Sequence, residues 1–184
     1  MPRPRMKAFR DIVLNEVSLV LQRIDDQSSR AFVGELSRSR SIYITGVGRS
    51  GLVVQAFGQR LMHLGFDVHL AHEITAPAIR RGDLLVACSG TGTTLMPLYM
   101  ARKARRIGAR VVSLTARPRS PLAKASNLTV LIPAPLERGR ETRQPARSLF
   151  EQVLFLYLDS VVLTAMHGLK ITGRKIRRRH ANLE

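Results

Sequence analysis

The sequence predicts an α/β fold, a doubly wound, five-stranded and mainly parallel sheet flanked by helices, with a helical arm before it and a long helix after it. From residue 41 onward, short apolar runs typical of strands alternate with segments whose apolar residues recur at helical spacing. Two of these helical segments are followed by a glycine, Gly65 and Gly108, which is a common helix stop. Strands joined by helices of about 12 to 15 residues predict parallel pairing, with helices on both faces of the sheet.

The elements follow in order along the chain. Residues 6–36 carry apolar side chains at helical spacing, and the polar run at 25–29 divides them into two helices. We interpret residues 1–184 as one domain, with the helical arm over 1–39, the α/β core over 40–135, and a C-terminal helix with a basic tail over 147–184. The later pattern predicts strands at 41–45, 66–71, 83–88, 110–116 and 127–133, and helices at 50–64, 95–107 and 148–166.

The chain is strongly basic, with a formal net charge of +17 at pH 7. Much of this charge lies near the two ends and in the stretch 101–110. Aromatic residues make up only 5% of the chain, and neither an RNA-recognition motif nor zinc-ligand spacing is present. We therefore interpret the charge as a solvated basic surface and expect no nucleic-acid partner, while binding of nucleic acid through the basic tails stays open as an alternative.

The cysteine content and the apolar segments indicate the cellular compartment and whether a membrane helix is expected. The lone cysteine, Cys88, cannot form an internal disulfide, and no secretion signal is recognisable, so we expect a reduced, cytoplasmic protein. The longest apolar segment, 153–166, is shorter than the roughly 20 residues of a membrane span and contains Asp159, so no membrane helix is predicted. Its helix is apolar nearly all round, which predicts burial inside the fold or against another subunit.

The loop GVGRSG follows the first predicted strand. Gly46, Gly48 and Gly51 satisfy the G-x-G-x-x-G pattern of dinucleotide-binding proteins. That pattern also requires an acidic residue at the end of the second strand, but Asp67 lies at its start and Glu73 beyond its end. The loop carries a cation and a hydroxyl, Arg49 and Ser50, where a dinucleotide site usually has small residues. The glycine pattern alone is therefore weak support for a dinucleotide.

The loop SGTGTT follows the third predicted strand and combines hydroxyls with glycines. Gly90 and Gly92 allow the backbone to curl around a ligand at a helix start. Capping a helix requires one hydroxyl, and this loop has four, so the pattern predicts a site for a phosphate dianion without a metal. The alternative is that these residues only cap a helix and form a turn. The four hydroxyls belong to Ser89, Thr91, Thr93 and Thr94.

Six motifs in order, GVGRSG, QRLMHLGF, HEITAP, DLLVACSGTGTT, QPARSLFEQ and RRHANLE, resemble the sugar isomerase (SIS) domain family, and within it most closely the 6-phospho-3-hexuloisomerases. The resemblance covers nearly the whole chain. It implies a doubly wound α/β domain, typically in a homotetramer, that needs neither a cofactor nor a metal. It also implies interconversion of D-arabino-3-hexulose 6-phosphate and fructose 6-phosphate, the second step of formaldehyde fixation by the ribulose monophosphate route.

The resemblance further implies roles for single residues. The four hydroxyls of the SGTGTT loop would bind the sugar phosphate with help from Ser50. From its place in the GVGRSG loop, Arg49 is interpreted as a further substrate-binding residue, at a subunit contact. Moving a carbonyl between C3 and C2 through an enediol requires a base, and Glu151 matches the family's FE motif. As an alternative, Glu151 only complements the dipole of its helix.

Two more positions match residues that line the family's site. These are Glu73 in HEITAP and His180 in RRHANLE, the latter a second catalytic candidate that would reach a neighbouring subunit. The alternative for His180 is an ordinary tail residue. His63, on an apolar helix face, is interpreted as structural.

One segment departs from the family. Where the family usually has Met-Gly-Ser or Met-Gly-Thr after Gln-Pro, this chain has Ala146 and Arg147 before Ser148. A cation beside Glu151 would favour its ionised form and lower its basicity, or it would hold part of an altered ligand, so Arg147 joins the predicted binding residues. The departure keeps two alternatives open, a non-catalytic sensor of a phosphosugar and an isomerase of another sugar phosphate.

Overall fold

A computed structural model of the chain describes residues 6–137 and 142–182. Within them, five strands form one sheet in the order β2-β1-β3-β4-β5. Every neighbouring pair is parallel, so the predicted fold class is confirmed and the sheet is wholly parallel. The strands are β1 (Ser41–Thr45), β2 (Asp67–Leu70), β3 (Leu84–Cys88), β4 (Arg110–Thr115) and β5 (Leu128–Leu131).

The helices match the predicted pattern except at short elements. Gly65 and Gly108 end their helices in the left-handed conformation, as predicted. The polar run at 25–29 starts the second helix rather than separating two helices, because the Asp25 side chain accepts a hydrogen bond from the backbone N–H of Ser28. The helices are α1 (Met6–Leu21), α2 (Asp26–Arg38), α3 (Gly48–Leu64), α4 (Leu95–Ile107), α5 (Pro121–Lys124), α6 (Ser148–Gly168) and α7 (Gly173–Arg178). The sequence did not predict α5 and α7, because helices of one or two turns are too short to show a period.

Alternate residues along the strands point to opposite faces of the sheet and contribute to two separate hydrophobic cores. On one face, residues such as Ile44 and Val86 pack against α1, α2, α3 and α6. On the other face, residues such as Tyr43 and Leu85 pack against α4 and α5. The sheet is therefore covered on both sides, as a parallel sheet requires, and α3 and α4 lie on opposite faces.

Helix α6 is buried on one side only. Phe150, Val153 and Leu154 are fully buried, whereas Phe155 and Leu163 are 44% and 66% exposed. By length and composition α6 could cross a membrane, but 56% of its most apolar stretch is buried inside the fold, as in the core helix of a folded domain. The predicted contact of its other side with a second subunit stays a prediction.

The turn from β1 into α3 depends on two glycines in close contact. A Cβ on Gly51 would lie 2.8 Å from the carbonyl oxygen of Gly46, which is backbone and cannot move aside. Gly48, between them, has a φ of 61°, in the region that favours glycine. The glycines of GVGRSG thus set how closely α3 approaches the end of β1.

We expect Gly51→Ala to lower the free energy of unfolding by about 1–3 kcal/mol, the usual cost of overpacking a tight contact. The matched control is Gly168→Ala at the end of α6, where an added Cβ meets nothing within 4 Å. Because alanine is the better helix former, the control is expected to be neutral or slightly stabilising. Urea unfolding of both variants checks this, and equal effects would contradict the close-contact explanation.

A buried carboxylate ties α2 to the start of β4. Glu35 is 6% exposed and accepts hydrogen bonds from Nε and Nη2 of Arg110 at 2.7 and 2.6 Å. Arg38 donates to the same carboxylate at 2.9 Å. The hydrogen bonds from Arg110 lower the pKa of Glu35 below its ordinary value of 4.5, more than burial raises it.

Because the folded-state pKa of Glu35 is lowered, its contribution to stability is present above pH 4.5 and is lost as the pH falls through the lowered value. We expect Glu35→Gln to cost about 1–2 kcal/mol at pH 7, with the cost shrinking towards pH 2 to 3 as wild-type Glu35 protonates. Urea unfolding at both pH values measures the difference, and Asp11→Asn at an exposed pair serves as the control. A cost that is the same at both pH values would show that charge is not the cause.

Candidate functional site

The site lies where the strand order reverses. β1 and β3 are neighbours, but the chain leaves β1 towards β2 on one side and leaves β3 towards β4 on the other. Open parallel sheets bind ligands in the crevice at this point, beyond the carboxyl ends of the strands. The loops GVGRSG and SGTGTT follow β1 and β3, so both predicted loops border this crevice.

Glu151 projects from the first turn of α6 towards this edge of the sheet. Its side chain is 10% exposed, and its Oε2 lies 2.7 Å from Nε of Arg49 in the first turn of α3. Its neighbours Leu149 and Phe150 are buried in the core, which fixes the start of α6. The fold therefore brings a buried carboxylate against the loop that follows β1.

Cys88 shows how near Glu151 is to the end of β3. Burial raises the pKa of the Cys88 thiol far above its usual range, and the charge of Glu151 raises it further. The thiol is therefore protonated and inert at neutral pH. Gly90, two residues on, leaves room for the Phe150 ring, which would lie 3.2 Å from a Cβ at that position.

The hydroxyls of SGTGTT bond to one another instead of capping α4. The Oγ of Ser89 lies 2.8 Å from Oγ1 of Thr94, and the Oγ1 atoms of Thr91 and Thr93 are also 2.8 Å apart. The backbone N–H of Gly92 donates to Oγ of Ser89 at 3.0 Å. Thr94 is the N-cap residue of α4, yet its side chain makes no capping hydrogen bond. The hydroxyls therefore do not cap α4, but those of Ser89 and Thr91 accept hydrogen bonds from backbone N–H groups within the loop, so the role of the loop as a turn stays open beside the predicted phosphate site.

Three helices begin at the crevice without a side-chain cap. The N-cap residues of α3, α4 and α6 are Val47, Thr94 and Arg147, and none makes a side-chain capping bond. By contrast, α2 and α5 are capped by Asp25 and Ser120. Uncapped helix starts present free N–H groups and a partial positive charge, which suits a dianionic ligand.

One hydroxyl at the crevice was not found from the sequence. Oγ1 of Thr45, the last residue of β1, is buried and has no hydrogen-bond partner among the described residues. Thr45 lies opposite Ala87 in the β1–β3 pairing. A buried unpaired hydroxyl is costly unless it serves water or a ligand. The only sequence signal was a polar residue at the end of an otherwise apolar strand.

The side chain of Arg147 does not contact Glu151, contrary to the expectation from the sequence. Its side chain is exposed at the start of α6, and the cation that contacts Glu151 is Arg49. The contact between Arg147 and Glu151 is the backbone bond from the N–H of Glu151 to the carbonyl of Arg147, at 3.2 Å. Ser50 is half-buried in the first turn of α3, next to Arg49. Both Arg147 and Ser50 thus border the crevice without touching the carboxylate through their side chains.

Glu73 lies apart from Glu151. It is exposed in the segment after β2 and lines a cavity of about 220 Å³ with Tyr43, Leu85 and Tyr99. Tyr43 and Leu85 point to the α4 face of the sheet, whereas α6 and Glu151 belong to the other face. Within one chain, Glu73 and Glu151 therefore do not share a pocket.

His180 is also remote from Glu151 within the chain. Its ring stacks on that of His63 with the centroids 4.8 Å apart, and Arg179 donates to the carbonyl of His63. His63 follows Arg49 by fourteen residues on α3, a rise of about 21 Å. His180 can therefore serve a site only in another copy of the chain. His63 itself is 1% exposed, in keeping with the structural interpretation.

Neither Asp67 nor Glu73 lies where a dinucleotide site requires an acidic residue. Asp67 is the first residue of β2, at the edge of the sheet opposite the crevice, where it accepts a hydrogen bond from Ser41. Glu73 lies on the other face, as described above. Residues 6–137 and 142–182 also contain no group of three His, Cys, Asp or Glu side chains placed to hold a metal ion.

Comparison with known proteins agrees with this fold. The model of the SIS domain family matches residues 35–158. The 3-hexulose-6-phosphate isomerase of Mycobacterium gastri is 37% identical, over 94% of this chain and 88% of its own length. The enzyme of the same name from Bacillus subtilis is 35% identical, over 94% and 95%. A Methanococcus jannaschii protein, whose crystal structure was described as inferring a molecular function of 3-hexulose-6-phosphate isomerase, superposes with a TM-score of 0.86 at 29% identity, covering 96% of this chain and 99% of that one.

Proposed function

The chain belongs to the SIS domain family, and on that premise we propose that it is a phosphosugar isomerase that interconverts D-arabino-3-hexulose 6-phosphate and fructose 6-phosphate. The observation that carries the proposal is the buried Glu151 carboxylate, held by Arg49 at the switch point beside the hydroxyl loop. The reaction requires a base and a set of donors that bind the phosphate, and the proposal assigns both to this crevice. The relatives' names supply the sugar, and the geometry supports the chemistry.

The phosphate end of the substrate is assigned to the loop after β3. Ser89, Thr91, Thr93 and Thr94 supply hydroxyl donors, and the uncapped start of α4 supplies backbone N–H groups. Ser50 adds a hydroxyl from the start of α3. Anchoring a remote phosphate in this way positions the reacting carbons without taking part in bond making.

Glu151 acts on the sugar carbons as the base. It removes the proton from C2 of the 3-ketose, the electron pair forms the C2=C3 double bond, and the C3 carbonyl oxygen takes up a proton to give the enediol. The carboxyl group then returns its proton to C3, while the C2 hydroxyl becomes the carbonyl of fructose 6-phosphate and gives up a proton that balances the one taken up at the C3 oxygen. No atom is gained or lost, and the same carboxylate serves both directions. Arg49 orients the carboxylate through the contact at 2.7 Å, and because a neighbouring cation lowers the basicity of a carboxylate, the same contact keeps the sensor open as the second candidate.

We expect Glu151→Gln to lower kcat by about 10²- to 10⁴-fold, because the amide keeps the shape but cannot accept the proton. A coupled assay that detects fructose 6-phosphate measures this, with several other ketose and aldose phosphates alongside. Asp159→Asn is the matched control, since Asp159 is an exposed carboxylate on the same helix. Arg147→Gly tests whether the departure at this position alters the choice of substrate.

The outcomes separate the rival functions. If Glu151→Gln keeps the wild-type turnover, the base assignment is wrong. If the wild type shows no turnover but melts at a higher temperature with a phosphosugar present, the protein is a sensor. If turnover appears only with a different sugar phosphate, the chain is an isomerase of that sugar.

His180 enters the proposal through a second subunit. It is exposed at the end of the chain, and apolar side chains such as Leu14, Leu95 and Leu163 are more than 60% exposed on three different helices, which favours the predicted homotetramer. In such an assembly, His180 would complete the crevice of a neighbour. The pathway and the cellular location stay predictions.

Mixing two inactive variants tests the shared site. We expect His180→Ala and Glu151→Gln each to lose activity, and refolded mixtures of the two to regain up to about a quarter of it, because some crevices then combine two intact residues. The measurement is kcat per subunit, with each variant refolded alone as the control. Mixtures that stay as inactive as the separate variants, although light scattering shows mixed oligomers, would place His180 outside the site.

A further inference from the structure

Helix α1 makes a polar contact with a distant segment of the chain. Glu16, on the third turn of α1, accepts hydrogen bonds from three groups of the segment 142–147 that leads into α6. Oγ1 of Thr142 lies 2.6 Å from Oε2, the backbone N–H of Arg143 lies 2.9 Å from Oε1, and Nε2 of Gln144 lies 3.1 Å from Oε2. We call this contact the Glu16 clasp.

Two of the three donor residues of the clasp are buried. Thr142 and Gln144 are 2% and 5% exposed, and the backbone N–H of Gln144 donates to Oγ1 of Thr142 at 3.1 Å. Burial raises the pKa of Glu16, but the hydrogen bonds from Thr142, Arg143 and Gln144 lower it by more, so the group is ionised at neutral pH. Three donors on one carboxylate form a stronger contact than an exposed ion pair.

A surface pocket lies between part of the segment and α1. It has a volume of about 310 Å³ and is lined by Phe9, Ile12 and Pro145, among others. Oε1 of Gln152, which also lines it, is buried without a hydrogen-bond partner among the described residues. Where the pocket keeps the two apart, the hydrogen bonds of the Glu16 clasp join the segment to α1.

The backbone of the segment is strained. Ala146 has a φ of 49°, in the left-handed region where a Cβ is disfavoured. A non-glycine residue keeps this conformation only when the structure on both sides imposes it. Here the Glu16 clasp lies before it and helix α6 after it. Arg147, next in the chain, starts the helix that carries Glu151.

We propose that Glu16 is a positioning residue: through Thr142, Arg143 and Gln144 it holds the segment 142–147, and with it Arg147, in place beside the crevice. The link to turnover rests on the function proposed above. The placement of the segment itself does not. Since Leu149 and Phe150 anchor α6 in the core without help from Glu16, the clasp acts on substrate binding by the segment more than on the base.

Hydrogen exchange and kinetics on the full chain test this with Glu16→Ala, Glu16→Gln and the control Asp11→Asn. Asp11 is an exposed carboxylate on the same helix, where it pairs with Lys7 at 2.9 Å. In Glu16→Ala we expect amide exchange over 142–148 to speed up by about tenfold or more, while β3 is unchanged. We expect KM to rise about five- to tenfold with kcat within about twofold of wild type.

The conservative variant separates positioning from general destabilisation. Glu16→Gln keeps one acceptor oxygen and is expected to restore part of both the exchange protection and the KM, whereas Asp11→Asn should match the wild type throughout. Adding Thr142→Val to Glu16→Ala should change little, because the two residues act through one contact. Unchanged exchange over 142–148, or a fall in kcat at constant KM, would overturn the proposal.

The proposed isomerase function and the proposed role of Glu16 are refuted by different results. If the wild type does not turn over 3-hexulose 6-phosphate, the proposed function is wrong, and the dissociation constant of fructose 6-phosphate measured by calorimetry replaces KM. If neither sugar binds, exchange over 142–148 still decides whether Glu16 holds the segment. If the wild type is active and Glu16→Ala binds substrate equally well, Glu16 has no positioning role and the function stands.

Discussion

The contact between Arg49 and Glu151 is the interaction on which the site depends. A carboxylate that is 10% exposed would be costly to bury without a partner, and the guanidinium at 2.7 Å supplies one. Arg49 reaches it only because α3 starts directly after β1, and that start requires the close contact of Gly46 with Gly51. The glycine turn, the ion pair and the buried carboxylate are therefore one connected arrangement.

The helix starts around the crevice differ in their caps. Helix α5 begins against the SGTGTT loop, where the backbone N–H of Leu122 donates to the carbonyl of Gly92, and Ser120 caps this helix. Helices α3, α4 and α6 have no side-chain cap, although Thr94 stands at the N-cap position of α4 with a hydroxyl, and neither has α7, which begins away from the crevice. A missing cap costs a helix about 1 kcal/mol. Under the proposed function, the N–H groups at the starts of α3, α4 and α6 serve an anionic ligand.

The N-terminal arm belongs to the site as well as to the core. On one side, Val17 and Val20 of α1 join the main core. On the other, Glu16 of the same helix reaches the segment that leads to Glu151. A helix that looks like a simple arm in the sequence thus supports the loop beside the crevice.

The sequence by itself determined the architecture and pointed to the residues on which the proposed chemistry rests. Periods of two and 3.6, with Gly65 and Gly108 as stops, predicted all five strands and the long helices within a few residues, because local backbone preferences and burial carry that information. The hydroxyl loop and Glu151 could also be found as motifs. Only the tertiary structure decided the partners. Glu151 pairs with Arg49 rather than with Arg147, which is nearer in the sequence. Glu73 and His180 lie away from Glu151. Glu16 contacts a segment more than a hundred residues further along the chain. Such contacts depend on how helices pack across the sheet, and no spacing in the sequence records that.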